Sequence, residues 1–303
     1  MPSSALSTSE FVHRRPAGPL RRYIAGYTGY REDGSAPGRH RGLPSPYLTM
    51  IITLDQRLTV AEHADPRTPP GDYDTLLGGL HTRPALITHD GRQAGIALSL
   101  SPLGTRALLG VPAGELVDAD LPADVILGRF GPDLTEQVRD ATSWAGRFGV
   151  LDDLLADRLA GTAAAVPAEV AHAWQALLAS GGRRATGPIA AEVGWSSRYL
   201  SRRFGVEIGF GPKTVARLVR FDRARRRLAA TARPPAPGAR AGPPVAGPVG
   251  TLARLAADSG YADQAHLARE FREFAGCPPT IWLREEFRNI QAGGLASPPD
   301  SAA

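Results

Sequence analysis

From Tyr47 to about Leu100, apolar and polar positions alternate with a period of two, the signature of half-buried strands. Tyr47-Leu-Thr-Met-Ile-Ile-Thr-Leu54 reads as a buried strand. Ala85–His89 is separated by Asp90-Gly91 from Arg92–Leu100, and Asp-Gly between two such runs predicts a two-residue hairpin. Ile96, Leu98 and Leu100 alternate with Gly95, Ala97 and Ser99, so one face is larger and more apolar. Residues 20–105 are therefore expected to form a small antiparallel sheet or partial barrel. Residues 1–20 are polar and expected to fray.

After Pro102 the period lengthens. Leu134, Val138, Ala141, Ala145 and Phe148 share one helical face, and Leu151, Leu154, Leu155 and Leu159 form a second stripe. Asp152-Asp153 reads as solvated or N-capping. These helices could pack on the sheet or pair with a second chain, and the pattern fits both. Pro167 opens a further helix carrying Val170, Ala171, Trp174, Leu177 and Leu178, which ends at Ser180-Gly181-Gly182. From there to about Phe287 the pattern is helical except over 231–250, where Pro, Gly and Ala dominate and predict a flexible linker.

One pattern occurs on both sides of that linker. Ile189-Ala-Ala-Glu-Val is followed by Gly194-Trp195-Ser196 and then Ser197-Arg-Tyr-Leu-Ser-Arg-Arg-Phe204. Leu252–Ser259 is followed by Gly260-Tyr261-Ala262 and then Asp263-Gln-Ala-His-Leu-Ala-Arg-Glu-Phe271. Each copy has a short apolar helix, a glycine that allows a sharp turn, an aromatic residue, a polar cap and a second helix. That order predicts a helix-turn-helix. Leu200 and Phe204, like Leu267 and Phe271, sit four apart and anchor the second helix inward. Arg198, Ser201 and Arg202 then point outward, as do Gln264, His266 and Arg269. Arg can bond guanine bidentately and Gln adenine, while Ser and His are adaptable, so these six are the candidate base readers of a major groove. The bland alternative is a pair of solvated helix faces.

Charge sharpens the picture. The whole chain carries +5. Residues 181–303 hold 18 Arg and one Lys against 10 acids, a net of +9, whereas residues 1–180 sum to −4. A basic half beside an acidic one points to a polyanion for the basic half only. No run of about 18 apolar residues suggests a membrane span, the first sixteen residues have no apolar core of signal-peptide length, and the single cysteine allows no internal disulfide. A cytoplasmic, nucleoid-associated protein without membrane contact is expected.

Residues 167–287 resemble the AraC/XylS-type DNA-binding module, two helix-turn-helix units joined by a long helix. The resemblance rests on Ile189–Phe204 followed by Gly209, on the helix from Pro212 to Leu228, and on Ala256–Phe271 followed by Gly276-Cys-Pro-Pro-Thr-Ile-Trp282. It implies that the second helix of each unit reads DNA, which agrees with the face assignment. Two such readers can enter successive major-groove segments about 34 Å apart. Tyr199, Arg220, Arg223, Arg225, Arg226, Arg227 and Arg272 are assigned to phosphate, where contacts position without specifying sequence. Asp222 is the candidate internal partner within that arginine cluster. The linker is longer than the family's usual segment, which predicts looser geometry between the units, and Leu283 replaces a common Arg.

The N-terminal half resembles the β-rich sensor domains of actinobacterial regulators, through His40–Thr49, Gly78-Gly-Leu-His81 and Leu100–Gly110. This implies a cupin-like or related effector-binding and dimerisation domain. The expected fold class is α+β: a β-rich domain with helical tail over 1–164 and an all-α double helix-turn-helix domain over 165–290. The latter divides into a first unit at about 183–209, a connecting helix at 211–230 and a second unit at about 251–276, with a disordered tail at 291–303. Expected partners are double-stranded promoter DNA, a small-molecule effector, a second copy of the chain and, for an activator, RNA polymerase. No cofactor, metal or catalytic residue is assigned. His40, His63, His81 and His89 lack the spacing of a facial metal triad. Cys277 reads as a small packing residue. The rival classes are a metal-dependent enzyme in the β-rich half with a DNA-binding appendage, and a nonspecific nucleic-acid-binding protein with steep salt dependence.

Overall fold

The computed structural model describes residues 8–162, 164–232 and 248–290. Ten strands occupy the first part: β1 (Thr8–Arg14), β2 (Ile24–Asp33), β3 (Gly38–Gly42), β4 (Leu48–Thr53), β5 (Leu58–Glu62), β6 (Gly71–Tyr73), β7 (Thr75–Gly78), β8 (Ala85–His89), β9 (Gln93–Leu100) and β10 (Asp120–Pro122). They form two antiparallel sheets, one ordered β1-β2-β9-β4-β7-β10 and the other β3-β8-β5-β6.

Two expectations change here. The N-terminus does not fray throughout, because Thr8–Arg14 pairs along its whole length with Tyr27–Asp33. The Asp90-Gly91 turn does not close a hairpin. β8 pairs with β3 and β5, whereas β9 pairs with β2 and β4, so the turn carries the chain from one sheet to the other. Gly91 has φ +105°, and a Cβ there would lie 2.1 Å from the Ser35 carbonyl oxygen. The hairpin rule weighs only the turn. The ten-residue β2 gives β9 a longer partner than β8 could, running from Ile24 opposite Leu100 to Glu32 opposite Gln93.

The alternation in β9 acquires a purpose. Its large face, with Ile96 and Leu98, packs with Tyr27, Met50 and Ile52 against the helical layer. That layer comprises α1 (Thr105–Leu109), α2 (Ala123–Leu127), α3 (Phe130–Asp140) and α4 (Trp144–Ala160). The apolar face expected from Leu134 through Phe148 is split between α3 and α4. Ser143 caps the second, its hydroxyl accepting the Gly146 N–H at 3.1 Å. Leu134, Val138, Phe148, Leu151 and Leu155 all bury against the sheet, with Phe148 stacked on Tyr27 at 5.9 Å. Asp152 is buried rather than solvated. It accepts the Tyr27 hydroxyl at 3.1 Å and the Ala17 N–H at 2.9 Å, and pairs with Arg14 at 3.3 Å.

Seven more helices follow: α5 (Ala168–Ala179), α6 (Thr186–Glu192), α7 (Ser197–Ile208), α8 (Pro212–Ala232), α9 (Pro248–Ser259), α10 (Gln264–Ala275) and α11 (Pro279–Ile290). The protein is thus α+β, with a β-rich N-terminal part and an all-helical C-terminal part. One core runs without a break from the six-stranded sheet to Trp174, Leu200, Phe204, Val215 and Val219. A second gathers Leu218, Phe221, Ala224 and Leu228 with Leu255, Tyr261, Leu267, Phe271, Phe274, Cys277 and Trp282. Helix α8 therefore feeds one face to each core. Of the expected linker, Thr231 and Ala232 extend α8 and Pro248–Gly250 open α9. Residues 233–247 and the expected tail at 291–303 lie outside the described residues. Packing on α8 holds α9–α11, so the length of the connection does not set their position. No helix among the described residues is long and apolar enough to cross a membrane.

Candidate nucleic-acid interface and the cavity behind it

The two helix turns are built alike. After α6, the Gly194 N–H donates to the Ala191 carbonyl at 3.1 Å and the Trp195 N–H to Ala190 at 2.9 Å. After α9, Gly260 donates to Ala257 at 3.2 Å and Tyr261 to Ala256 at 2.9 Å. This pair of bonds is the Schellman motif, which needs a left-handed residue; Gly194 and Gly260 supply φ of 71° and 85°. The following helices are capped as the sequence implied. Ser196 Oγ accepts the Tyr199 N–H at 3.2 Å, and Asp263 Oδ1 accepts the His266 N–H at 2.6 Å. The post-glycine aromatics also match, since Trp195 meets Tyr199 and Tyr261 meets His266 edge-on, at 4.8 and 5.2 Å. Two sequences with little identity thus make one local structure twice.

The candidate readers fall on α7 and α10. Arg198, Arg202 and Arg269 are exposed, and Ser201, Gln264 and His266 are half-buried. Arg202 lies over the Tyr199 ring at 5.1 Å, which holds its guanidinium beside the exposed phenol. Leu200, Phe204, Leu267 and Phe271 are fully buried beneath them, so the anchor spacing gave the correct face. His266 lies 3.7 Å from Glu270, closer to the protein than the other readers.

The arginines assigned to phosphate divide. Tyr199 and Arg272 are exposed on α7 and α10. Those on α8 face inward instead. Arg220 donates to the Gly182 carbonyl at 2.8 Å, lies 3.7 Å from Glu270 and covers Tyr261, so it bridges the two units. Arg223 packs over Gly181, where a Cβ would meet its Nη1 at 2.5 Å. Arg225 and Arg226 pair with buried Asp222 at 2.5 and 2.7 Å. Burial alone would raise the Asp222 carboxyl, but the two guanidiniums hold it below the usual range. Arg227 is half-buried. From sequence the run of arginines looks like a surface stripe that could face phosphate, because a helix flanked by two cores looks locally like a helix flanked by one.

Further contacts tie the readers in place. Arg183 donates to the Asp258 carbonyl at 2.7 Å, joining the units a second time. Arg217 reaches Glu270 at 2.8 Å and also pairs with Glu273, both on α10. Glu207, at the inner end of α7, is gripped by Arg106 of α1 through bonds of 2.6 and 3.1 Å. Gly114 lies so close to α7 that a Cβ would sit 2.3 Å from the Val206 carbonyl oxygen. Helix α7 is therefore docked on the N-terminal part. Neither Arg106 nor Gly114 carries a local sequence signal for this contact.

A cavity of about 170 Å³ lies between the two sheets. The small face of β9 makes it: Ala97 and Ser99, with Thr49 and Gly78 on neighbouring strands, leave unfilled the space that Leu58, Val60 and Ile87 face from the other sheet. Its wall includes His40, His81 and His89. Burial, with a smaller contribution from His89, lowers His40 to about 4. His63 lies deeper, 2.7 Å from Asp120 and 3.4 Å from the Tyr73 hydroxyl. Among the described residues no group of three or more His, Cys, Asp or Glu could hold a metal. The wall also takes Arg225 and Arg226 from α8 and Trp282 from α11. The helical part thus completes a cavity that begins in the β-rich part.

Residues 12–122, ending with β10, match a family described as a domain of unknown function, DUF6597. No curated protein matches the chain. Among solved structures, ToxT from Vibrio cholerae O395 is similar at 10% identity, with a TM-score of 0.46 over 92% of this chain and 97% of that one. The same protein bound to (E)-4-(8-methylnaphthalen-1-yl)but-3-enoic acid gives 10% identity and 0.47 over 92% and 98%. Wild-type ToxT of V. cholerae strain SCE256 bound to unsaturated fatty acid gives 9% identity and 0.45 over 93% and 97%.

Proposed function

We propose that the protein is a sequence-specific DNA-binding transcription regulator whose DNA affinity responds to a small molecule held between its sheets. The observation that carries the first half is the duplicated turn: two Schellman-capped, N-capped helix pairs share α8, each presenting polar and cationic side chains outward. Arg198, Ser201 and Arg202 read one groove segment, and Gln264, His266 and Arg269 the next. Arg198, Arg202 and Arg269 are the long exposed donors suited to guanine. Tyr199 and Arg272 lie on the same helices and supply phosphate contacts.

The second half rests on the cavity wall. Arg225, Arg226 and Trp282 belong to the helices that position the second reader, yet they border the space between the sheets. A ligand there contacts α8 and α11 directly, so its binding free energy depends on where those helices sit. By linkage, DNA that selects one arrangement changes ligand affinity by the same factor that ligand changes DNA affinity.

Selection of bound sites from random duplex DNA, followed by titration at two salt concentrations, tests this reading. Recovery of a bipartite motif with half-sites one helical turn apart supports two readers acting together. Recovery of no motif, with affinity collapsing as salt rises, refutes it in favour of nonspecific electrostatic binding.

A further inference from the structure

The cavity wall is not evenly charged. Its cationic members have acidic partners: Arg225 and Arg226 pair with Asp222, and Arg41 with Glu285. Asp120 is matched by the His63 ring. Glu32 has no such counterpart. It is 4% exposed, its Oε2 accepts one bond from the Gln93 amide at 2.5 Å, and its Oε1 has no partner. An acid this deep without a cation is costly, because an unpaired buried carboxylate forfeits its hydration. Desolvation accordingly raises the Glu32 carboxyl, against the opposing amide bond.

The placement of Glu32 follows from the sheet. Thr28, Tyr30 and Glu32 alternate along β2 toward the cavity, and Glu32 sits opposite Gln93 at the start of β9. Ser99 lies near the other end of β9, about 20 Å away at the rise of an extended strand. Between them Ala97, Ile51, Leu58, Val60, Leu76 and Ile87 give the wall an apolar stretch, beside polar Thr49, His40, His81, His89 and Asp120. Glu32 is the unsatisfied acid of this wall, near the end remote from the contacts of α8.

We infer that the cavity takes an organic cation: an apolar carbon skeleton ending in a primary or secondary amine, whose ammonium pairs with the Glu32 carboxylate. An ammonium supplies the counter-charge that Glu32 lacks. A carboxylate ligand would place a second negative charge against the same acid. The ligand class deepens the regulator reading, since it rests on that reading's placing an effector in this cavity. Its test contains no DNA, so failure of either can be recognised separately.

The test is calorimetric titration of the full chain with n-octylamine, n-octanol and octanoate, on wild type, Glu32→Gln and Ala97→Leu. Wild type is expected to bind octylamine at least about tenfold more tightly than octanol or octanoate, as for a charge-assisted bond in a dry site. Glu32→Gln is expected to remove that preference while leaving octanol affinity within about twofold. It should also raise the thermal midpoint, which confirms that the variant folds. Ala97→Leu fills the cavity and is expected to abolish binding of all three. Equal affinity of wild type for octylamine and octanol, tighter binding of octanoate, or unchanged octylamine affinity in Glu32→Gln would each overturn the assignment.

Discussion

Replacing Arg106 with Ala strands a buried acid at the joint between the β-rich part and α7. The Glu207 side chain is 3% exposed and that of Arg106 30%. Their two bonds, at 2.6 and 3.1 Å, have charge-assisted geometry. Removing one partner of a buried pair costs about 3–5 kcal/mol, because the remaining charge keeps its desolvation without its counter-charge. Truncating a partly exposed Arg lets some water in, so about 2–4 kcal/mol is expected here. Adding Glu207→Gln to Arg106→Ala removes the stranded charge and should restore part of the loss. A volume-matched pair, Arg106→Met with Glu207→Leu, should lie closest to wild type. Urea titrations followed by circular dichroism measure these differences. DNA titrations on the same variants report the second consequence, since α7 carries Arg198, Ser201 and Arg202 and loses a tether. A loss below about 0.5 kcal/mol for Arg106→Ala, the range of an ordinary surface change, would refute the reasoning. So would the absence of any recovery on adding Glu207→Gln.

Four further outcomes are expected. Gly114→Val forces a side chain against the Val206 carbonyl and should cost about 1–3 kcal/mol in denaturant titrations, whereas Gly149→Ala, with open space around it, should cost nothing measurable. Ser196→Ala and Asp263→Ala each remove a cap and should cost about 1 kcal/mol, with Ser196→Asp close to neutral. Arg202→Ala should lose about 1–3 kcal/mol of discrimination at one or two base pairs, while Arg226→Ala, turned toward Asp222 and the cavity, should leave base preference intact; binding-site selection on each separates the two. His40, held at about 4 against an ordinary 6.5, leaves the unfolded chain binding more protons between those values. Stability should therefore be lost as pH falls through that window, by about 1–2 kcal/mol given the ring's partial exposure, and His40→Leu should flatten that part of the pH–stability curve.

Much of the all-helical C-terminal part was legible in the chain alone. Gly194 and Gly260, the caps Ser196 and Asp263, and the anchors Leu200–Phe204 and Leu267–Phe271 act within a turn or two of backbone, so their spacing is enough to define helix, turn and outward face. The same locality misled elsewhere. Asp90-Gly91 carries the local chemistry of a hairpin, yet β2 won the pairing with β9 from some sixty residues away in sequence. The arginines of α8 look like a phosphate-facing stripe until a second core closes over the other side of the helix, and Asp152 looks solvated until Tyr27, Ala17 and Arg14 converge on it.

The cavity divides the two kinds of information most clearly. Local sequence determined that β9 would have a large face and a small one, because a strand's side chains alternate whatever surrounds them. Only the tertiary structure decided that the small face would meet a second sheet too far away to fill the gap, and that Glu32 would be left inside it with one oxygen unpaired. Only it brought Arg225, Arg226 and Trp282 to the same wall. Burial and charge compensation are sums over neighbours distant in the chain, and no window of sequence contains them.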